Sequence, residues 1–208
     1  MATMVKICGI CDVASGIAAV EAGADLIGFH LCSSRRRINP DQAKQIIAAL
    51  PRRPAVVGVF LDQPASEVNQ VARELDLDLI QLHGAEPPGF ASERPIMKVL
   101  KVRDRLVPDV SAWPDPIMLD SWSPDGRGGT GKSWEFAAAL PLIRDRRVFL
   151  AGGLGPSTVA DVVRRYRPYG VDVSSGVESE VRVKDRGSMI DFVRQVREGL
   201  SSRDEHAR

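Results

Sequence analysis

In the run Met4-Val5-Lys6-Ile7-Cys8-Gly9 an ammonium precedes a thiol by two positions, so in an extended chain both side chains leave the backbone in one direction. Positive charge beside a cysteine favours its thiolate, the form that can take a proton or attack carbon. The same alternation aligns Gln81 with His83, Met118 with Asp120, and Asp172 with Ser174. A carboxyl such as Asp120, if it holds its proton, supplies the complementary acid. A buried inert thiol is the plain alternative for Cys8. Cys8 and Cys11 also form Cys-Gly-Ile-Cys, and with His30 and Cys32 they would complete four zinc ligands on paper. That reading is set aside, because Cys8 lies inside a strand end and is not at the helix start that a redox motif requires.

Two glycine-bearing segments, Ala151-Gly152-Gly153-Leu154-Gly155 and Asp172-Val173-Ser174-Ser175-Gly176-Val177, suit an anion. Glycine lets backbone amides approach a phosphate closely, and a following helix start adds the positive end of its dipole. The alternative is that these glycines only turn the chain. Residues 125–133 end in Gly-Lys-Ser and resemble a nucleotide-binding loop, but they do not directly follow a buried strand and are expected instead to form a lid or a surface loop. Arg35, Arg36 and Arg37 form a charge run that is ordinarily a solvated face, although one guanidinium fork could hold a substrate carboxylate.

The elements that must position these groups follow from periodicity. Short Val/Ile/Leu-rich runs at residues 4–9, 25–31, 55–61, 77–83, 96–102, 116–120, 148–152 and 170–174 alternate with stretches of helical spacing. The helices are expected near 13–22, 40–49, 65–74, 87–92, 104–112, 133–140, 156–167 and 187–198. Eight strand–helix pairs predict a single-domain (βα)8 barrel over residues 1–200 with a polar tail at 201–208. An open doubly wound sheet competes, but the polar groups at the ends of strands one, four, six and eight would converge only in a closed barrel. The 208 residues include 44% apolar and 26% charged residues, with a formal net charge of +1. This balance excludes disorder and provides no general field for nucleic acid or an anionic membrane. No signal peptide or membrane-length apolar run is visible, and three cysteines argue against a disulfide framework, so a cytoplasmic enzyme is expected. Cys11, Cys32, Trp113, Trp122 and Trp134 are assigned to packing or surface.

Taken in order, Val5-Lys6-Ile7-Cys8-Gly9-Ile10, Gln81-Leu82-His83-Gly84, Leu119-Asp120, Gly128-Gly129-Thr130-Gly131-Lys132, Ala151-Gly152-Gly153-Leu154 and Gly170-Val171-Asp172-Val173-Ser174-Ser175-Gly176-Val177-Glu178 form a specific series. With it the chain resembles the phosphoribosylanthranilate isomerases of tryptophan biosynthesis, up to about Leu200. The resemblance implies a cofactor-free, metal-free Amadori rearrangement of a small phosphoribosyl substrate, with Asp120 as general acid and Cys8 as general base. It further implies that Gly152, Gly153, Ser174, Ser175 and Gly176 hold the phosphate, that Asp172 contacts the sugar hydroxyls, that His83 lines the substrate site and that Arg36 binds the carboxylate. The acid must be shifted up and the thiol down, the latter by Lys6 and nearby donors. A monomer or homodimer is expected. The chain departs from the family between the second strand and Arg36, where it reads His30-Leu31-Cys32-Ser33-Ser34-Arg35 and is one residue shorter, lacking the usual aromatic, proline and lysine. Glu180 to Asp185 likewise lacks the glycine common before the lysine. The competing functions are an isomerase of a related histidine-pathway aminoaldose, or of both substrates, and a non-catalytic phosphosugar-binding barrel.

Overall fold

A computed structural model describes residues 2–103, 105–121 and 134–201. Eight parallel strands close into a barrel in sequence order: β1 Met4–Cys8, β2 Leu26–His30, β3 Ala55–Phe60, β4 Leu79–Leu82, β5 Ile96–Val102, β6 Ile117–Ser121, β7 Val148–Leu150 and β8 Gly170–Val173. β8 returns to pair with β1, with Lys6 opposite Asp172. Closure decides against the open sheet. Outside the barrel run α1 Val13–Glu21, α2 Pro40–Ala48, α3 Ala65–Glu74, α4 Leu140–Asp145, α5 Val159–Tyr166 and α6 Arg186–Ser201. A two-stranded antiparallel hairpin, β9 Glu178–Glu180 with β10 Val183–Lys184, stands over the end of β8.

Strand alternation divides the core in two. Val5, Ile7, Ile27, Phe29, Val56, Phe60, Ile80, Leu82, Leu119, Leu150 and Val171 pack outward beneath the helices. Leu26, Val57, Leu79, Met97, Val99, Met118 and Phe149 fill the barrel interior. The interior is therefore apolar at its base, and its polar side chains gather at the C-terminal mouth, where barrel active sites lie. The helices begin where local chemistry directs: the Asp12 carboxylate accepts from Ser15 N (2.8 Å), and Asn39 and Gln42 form a reciprocal capping box ahead of Pro40.

Two expected helices, 87–92 and 104–112, are replaced among the described residues by irregular connections. Pro87-Pro88 is followed by Gly89 at φ +81°, which ends any helical turn, and Pro108 would remove an amide donor from the middle of the second. Val110 and Trp113 fill the space instead, and the buried Lys98 ammonium lies 5.1 Å from the Trp113 ring centre while bonding Glu86 at 2.6 Å. The helix expected at 133–140 also shifts. A 3-10 turn at Phe136–Ala139 leads into α4, and Pro141 sits in the first turn of that helix. The glycine-rich 125–133 stretch, Trp122 and the tail beyond 201 lie outside the described residues.

Candidate active site

Cys8 and Lys6 point inward from β1 as the alternation required. The room they occupy exists because Gly28 stands beside them on β2: a β-carbon there would lie 2.8 Å from Cys8 Sγ and 3.1 Å from Lys6 Nζ. Lys6 is fully buried and donates to Asp172 Oδ1 at 2.7 Å across the β1–β8 seam. Burial opposes its charge, but Asp172 and Cys8 together outweigh that and hold its pKa above the usual lysine value. Burial raises Asp172, and Lys6 only partly offsets it. For Cys8 the expected direction reverses. Burial pushes the thiol up and dominates the lowering by Lys6, so the resting group is a thiol. Its sulfur lies 3.5 Å from His30 Nε2, and His30 Nδ1 lies 2.8 Å from Ser34 Oγ.

Within the arginine triplet, Arg36 is buried while Arg35 and Arg37 are exposed. Arg36 Nε and Nη2 each bond one oxygen of Glu178 at 2.6 Å, a fork-to-fork pair. Burial opposes the charge on Glu178, but Arg36 and Lys184 outweigh it and hold the carboxyl below its usual range. Lys184 also donates to the Ser174 carbonyl at 2.9 Å, tying the hairpin to the loop after β8.

On the opposite wall Asp120 is next to last in β6, its Oδ1 accepting from Ser121 N at 2.8 Å and its Oδ2 from Lys101 Nζ at 2.6 Å. Lys101 lies 2.9 Å from His83 Nε2. Because an ammonium can only donate, Nε2 accepts and the ring proton sits on Nδ1. This agrees with burial, followed by Lys101, pushing the His83 pKa well down. Gln81 Oε1 is buried without a partner among the described residues, and Gln81 Nε2 stands 3.4 Å from His83 Nδ1. A half-turn of that terminal amide gives the Nδ1 proton its acceptor. Lys101 was not foreseen. Its signal was an ammonium two positions after Val99 on the inward alternation of β5, obscured by the outward Lys98 three positions earlier.

The two glycine segments meet beside this wall. Gly152 and Gly153 hold φ of +91° and +71°, the left-handed region that favours glycine. A β-carbon on Gly152 would reach the Ser121 amide at 2.7 Å, and one on Gly176 would strike the Leu154 carbonyl. No hydrogen bond among the described residues occupies the amides of Gly152, Gly153, Ser175 or Gly176. Four backbone donors on the adjoining loops after β7 and β8, without a partner among the described residues, suit a phosphate. The structure thus brings Cys8, Asp120, Asp172, His83, Arg36 and the glycine segments to one end of one barrel. Cys11 turns elsewhere, its Sγ donating to the carbonyls of Gly9 and Arg36 at 3.5 Å each.

These features define a single-domain (βα)8 barrel enzyme with a thiol, carboxyls, an arginine and two glycine-rich loops gathered at the mouth of its barrel. The model of the family "N-(5'phosphoribosyl)anthranilate (PRA) isomerase" matches residues 5–195, and the chain belongs to that family. The N-(5'-phosphoribosyl)anthranilate isomerase of Pelobacter propionicus is 41% identical over 202 residues, spanning 95% of this chain and 97% of that one. Among solved structures, phosphoribosyl anthranilate isomerase from Thermus thermophilus superposes with a TM-score of 0.85 at 36% identity, over 94% of this chain and 98% of its own. The Thermotoga maritima structure gives 0.83 at 33%, over the same shares. A further isomerase structure holds reduced 1-(o-carboxyphenylamino)-1-deoxyribulose 5-phosphate and superposes at 0.79 with 31% identity, over 94% and 98%. No helix among the described residues is long and apolar enough to cross a membrane.

Proposed function

We propose that this chain converts N-(5-phosphoribosyl)anthranilate to 1-(2-carboxyphenylamino)-1-deoxyribulose 5-phosphate, with Asp120 as general acid and Cys8 as general base. The observation that carries the reading is the placement of these two groups on separate walls of one polar mouth, each steered by a lysine. Asp120 protonates the furanose ring oxygen, and the ring opens to a Schiff base conjugated with the anthranilate nitrogen. Cys8 removes the proton from the sugar's second carbon, and the electron pair moves into the enolamine, which tautomerises to the ketone.

The amides of Gly152, Gly153, Ser175 and Gly176, together with Ser174, take the phosphate. This fixes the sugar between acid and base. Asp172 accepts from sugar hydroxyls on the oxygen that Lys6 leaves open. Arg36, pre-oriented by Glu178, offers its remaining donors to the anthranilate carboxylate, and His83 lines the wall beside Asp120. The shortened loop 31–35 packs around the aromatic ring. The assay follows the fluorescence change of freshly made substrate. Cys8→Ser and Asp120→Asn are each expected to lower kcat by about 10²–10⁴-fold with phosphate still bound. Near-parental turnover in either variant removes that residue from its role.

A further inference from the structure

The C-terminal end of β2 places an imidazole against the thiol of Cys8. His30 ends β2, two residues beyond Gly28 on the inward alternation, so the absent side chain at Gly28 is what lets Cys8 Sγ approach Nε2 to 3.5 Å. The other ring nitrogen is held 2.8 Å from Ser34 Oγ, which itself accepts the Arg36 amide at 3.1 Å. Ser34 keeps a second lone pair for an Nδ1 proton, and that leaves the Nε2 lone pair facing the sulfur. A thiol, an imidazole and a hydroxyl that orients the imidazole form a relay in the same sense as nucleophile, base and orienter elsewhere.

Resting on the assignment of Cys8 as base, we infer that His30 is the positioning residue that arms it, accepting the thiol proton at Nε2 so that the thiolate can take the proton from the substrate. In the first step the S–H bond breaks and an Nε2–H bond forms, giving thiolate and imidazolium. In the second the thiolate takes the proton from the sugar's second carbon, and the C–H electron pair becomes the enolamine double bond. The tautomerisation that follows moves one proton from oxygen to carbon within the substrate. The imidazolium then loses its proton to solvent, and Asp120 takes one from solvent, since the proton it gave to the ring oxygen leaves as the product's hydroxyl; the enzyme is restored.

The surroundings explain why the relay rests until substrate arrives. Around the pair stand Lys6 from β1, Asp172 from β8, Glu178 from β9, Lys184 from β10, Arg36 and Cys32 from the loop, and His83 beyond β4. Burial, then Lys6, Arg36 and Lys184, hold His30 neutral, with its pKa pushed down to about 3. A bound phosphate and carboxylate would offset that positive field and make the imidazolium accessible.

The experiment measures kcat and KM against pH for the parent, His30→Gln, Ser34→Ala, Cys8→Ser and the double variant Cys8→Ser/His30→Gln. With the relay, His30→Gln lowers kcat near neutrality by about 100-fold with KM little changed. Its kcat then climbs steeply with pH toward the parent, since a thiol that ionises directly into solvent needs no acceptor. Ser34→Ala, in a partly exposed loop, gives the same profile with a loss of roughly tenfold. In the Cys8→Ser background the His30 substitution costs nothing further. An inactive Cys8→Ser beside a His30→Gln enzyme with the parent's kcat and pH profile overturns the relay and leaves the base assignment intact. So does an equal fold-loss from His30→Gln in both backgrounds. An active Cys8→Ser overturns the base assignment itself.

Discussion

The wall of the mouth around Cys8 and the wall around Asp120 are built on different plans. Cys8 sits among charges drawn from the two ends of the chain: Lys6 with Asp172, and Arg36 and Lys184 with Glu178, all on side chains with little or no exposure. Helices α1, α2, α5 and α6 cover that side. Asp120 is served from the middle of the chain, by Lys101 of β5 and by His83 and Gln81 at the end of β4, and the strands behind it are covered by irregular connections stapled by Lys98–Glu86. Lys6 is fully buried, whereas the Lys101 side chain is 24% exposed. The first wall joins the barrel's closing seam to its chemistry. The second can lose a contact without opening the fold.

That difference sets the largest effect. Lys6→Met leaves Asp172 buried without its partner and is expected to cost about 3–5 kcal/mol in urea unfolding. Lys101→Met removes a more solvated ion pair and should cost less than about 1 kcal/mol, while lowering kcat because Asp120 and His83 lose the group that holds both. Equal stability losses would erase the distinction between the walls.

The sequence exposed the two walls unequally. Alternation alone put Lys6 with Cys8, Gln81 with His83 and Asp172 with Ser174, because a strand's period of two is rigid and needs no knowledge of partners. Barrel closure was legible for the same reason, since convergence of those polar ends has no counterpart in an open sheet. What alternation cannot give is which strand lies across from which side chain. Alternation sets Lys101 and Lys98 on opposite faces of β5, but it does not say that one reaches Asp120 and the other staples a loop through Glu86. The direction of the Cys8 shift was also out of reach. It depends on desolvation by Cys32, Val59 and neighbouring strands outweighing a lysine two residues away. The helix expected at 133–140 moved to Leu140–Asp145, where Pro141 falls in the first turn, a position at which proline opens a helix.

A middle-sized effect sharpens the picture of the Cys8 wall. Arg36 is buried and clamped by Glu178, whereas Arg35 is exposed and contributes its carbonyl to Arg182. If Arg36 binds the anthranilate carboxylate, Arg36→Ala should raise KM by about 10–100-fold, the range for a lost hydrogen bond to a charged group, and Arg35→Ala by less than about twofold. Arg36→Lys, which keeps charge but not the planar fork, should fall between them. Steady-state kinetics at fixed ionic strength decides. Equal KM values for the two alanine variants would mean that the carboxylate is held elsewhere.

The smallest effect is in the pH dependence of stability, and it reads the two walls through one histidine each. An unfolded histidine titrates near pH 6.5, whereas folded His30 does so at about 3 and folded His83 is also well depressed. Between those values the unfolded chain binds protons that the folded chain refuses, so stability must fall as pH is lowered through that window. Glu178, held low by its partners, adds loss in the same direction at more acid pH. Asp172, raised by burial, works the other way and damps the total. Each histidine accounts for at most about 1.4 kcal/mol per pH unit. Urea midpoints measured from neutral to mildly acid pH should therefore show a shallower slope in His30→Gln and in His83→Gln than in the parent, and the shallowest in the double variant. A slope unchanged by His30→Gln would mean that the imidazole beside Cys8 is solvated enough to titrate normally. The Cys8 wall would then lose the dry environment that keeps its thiol protonated at rest.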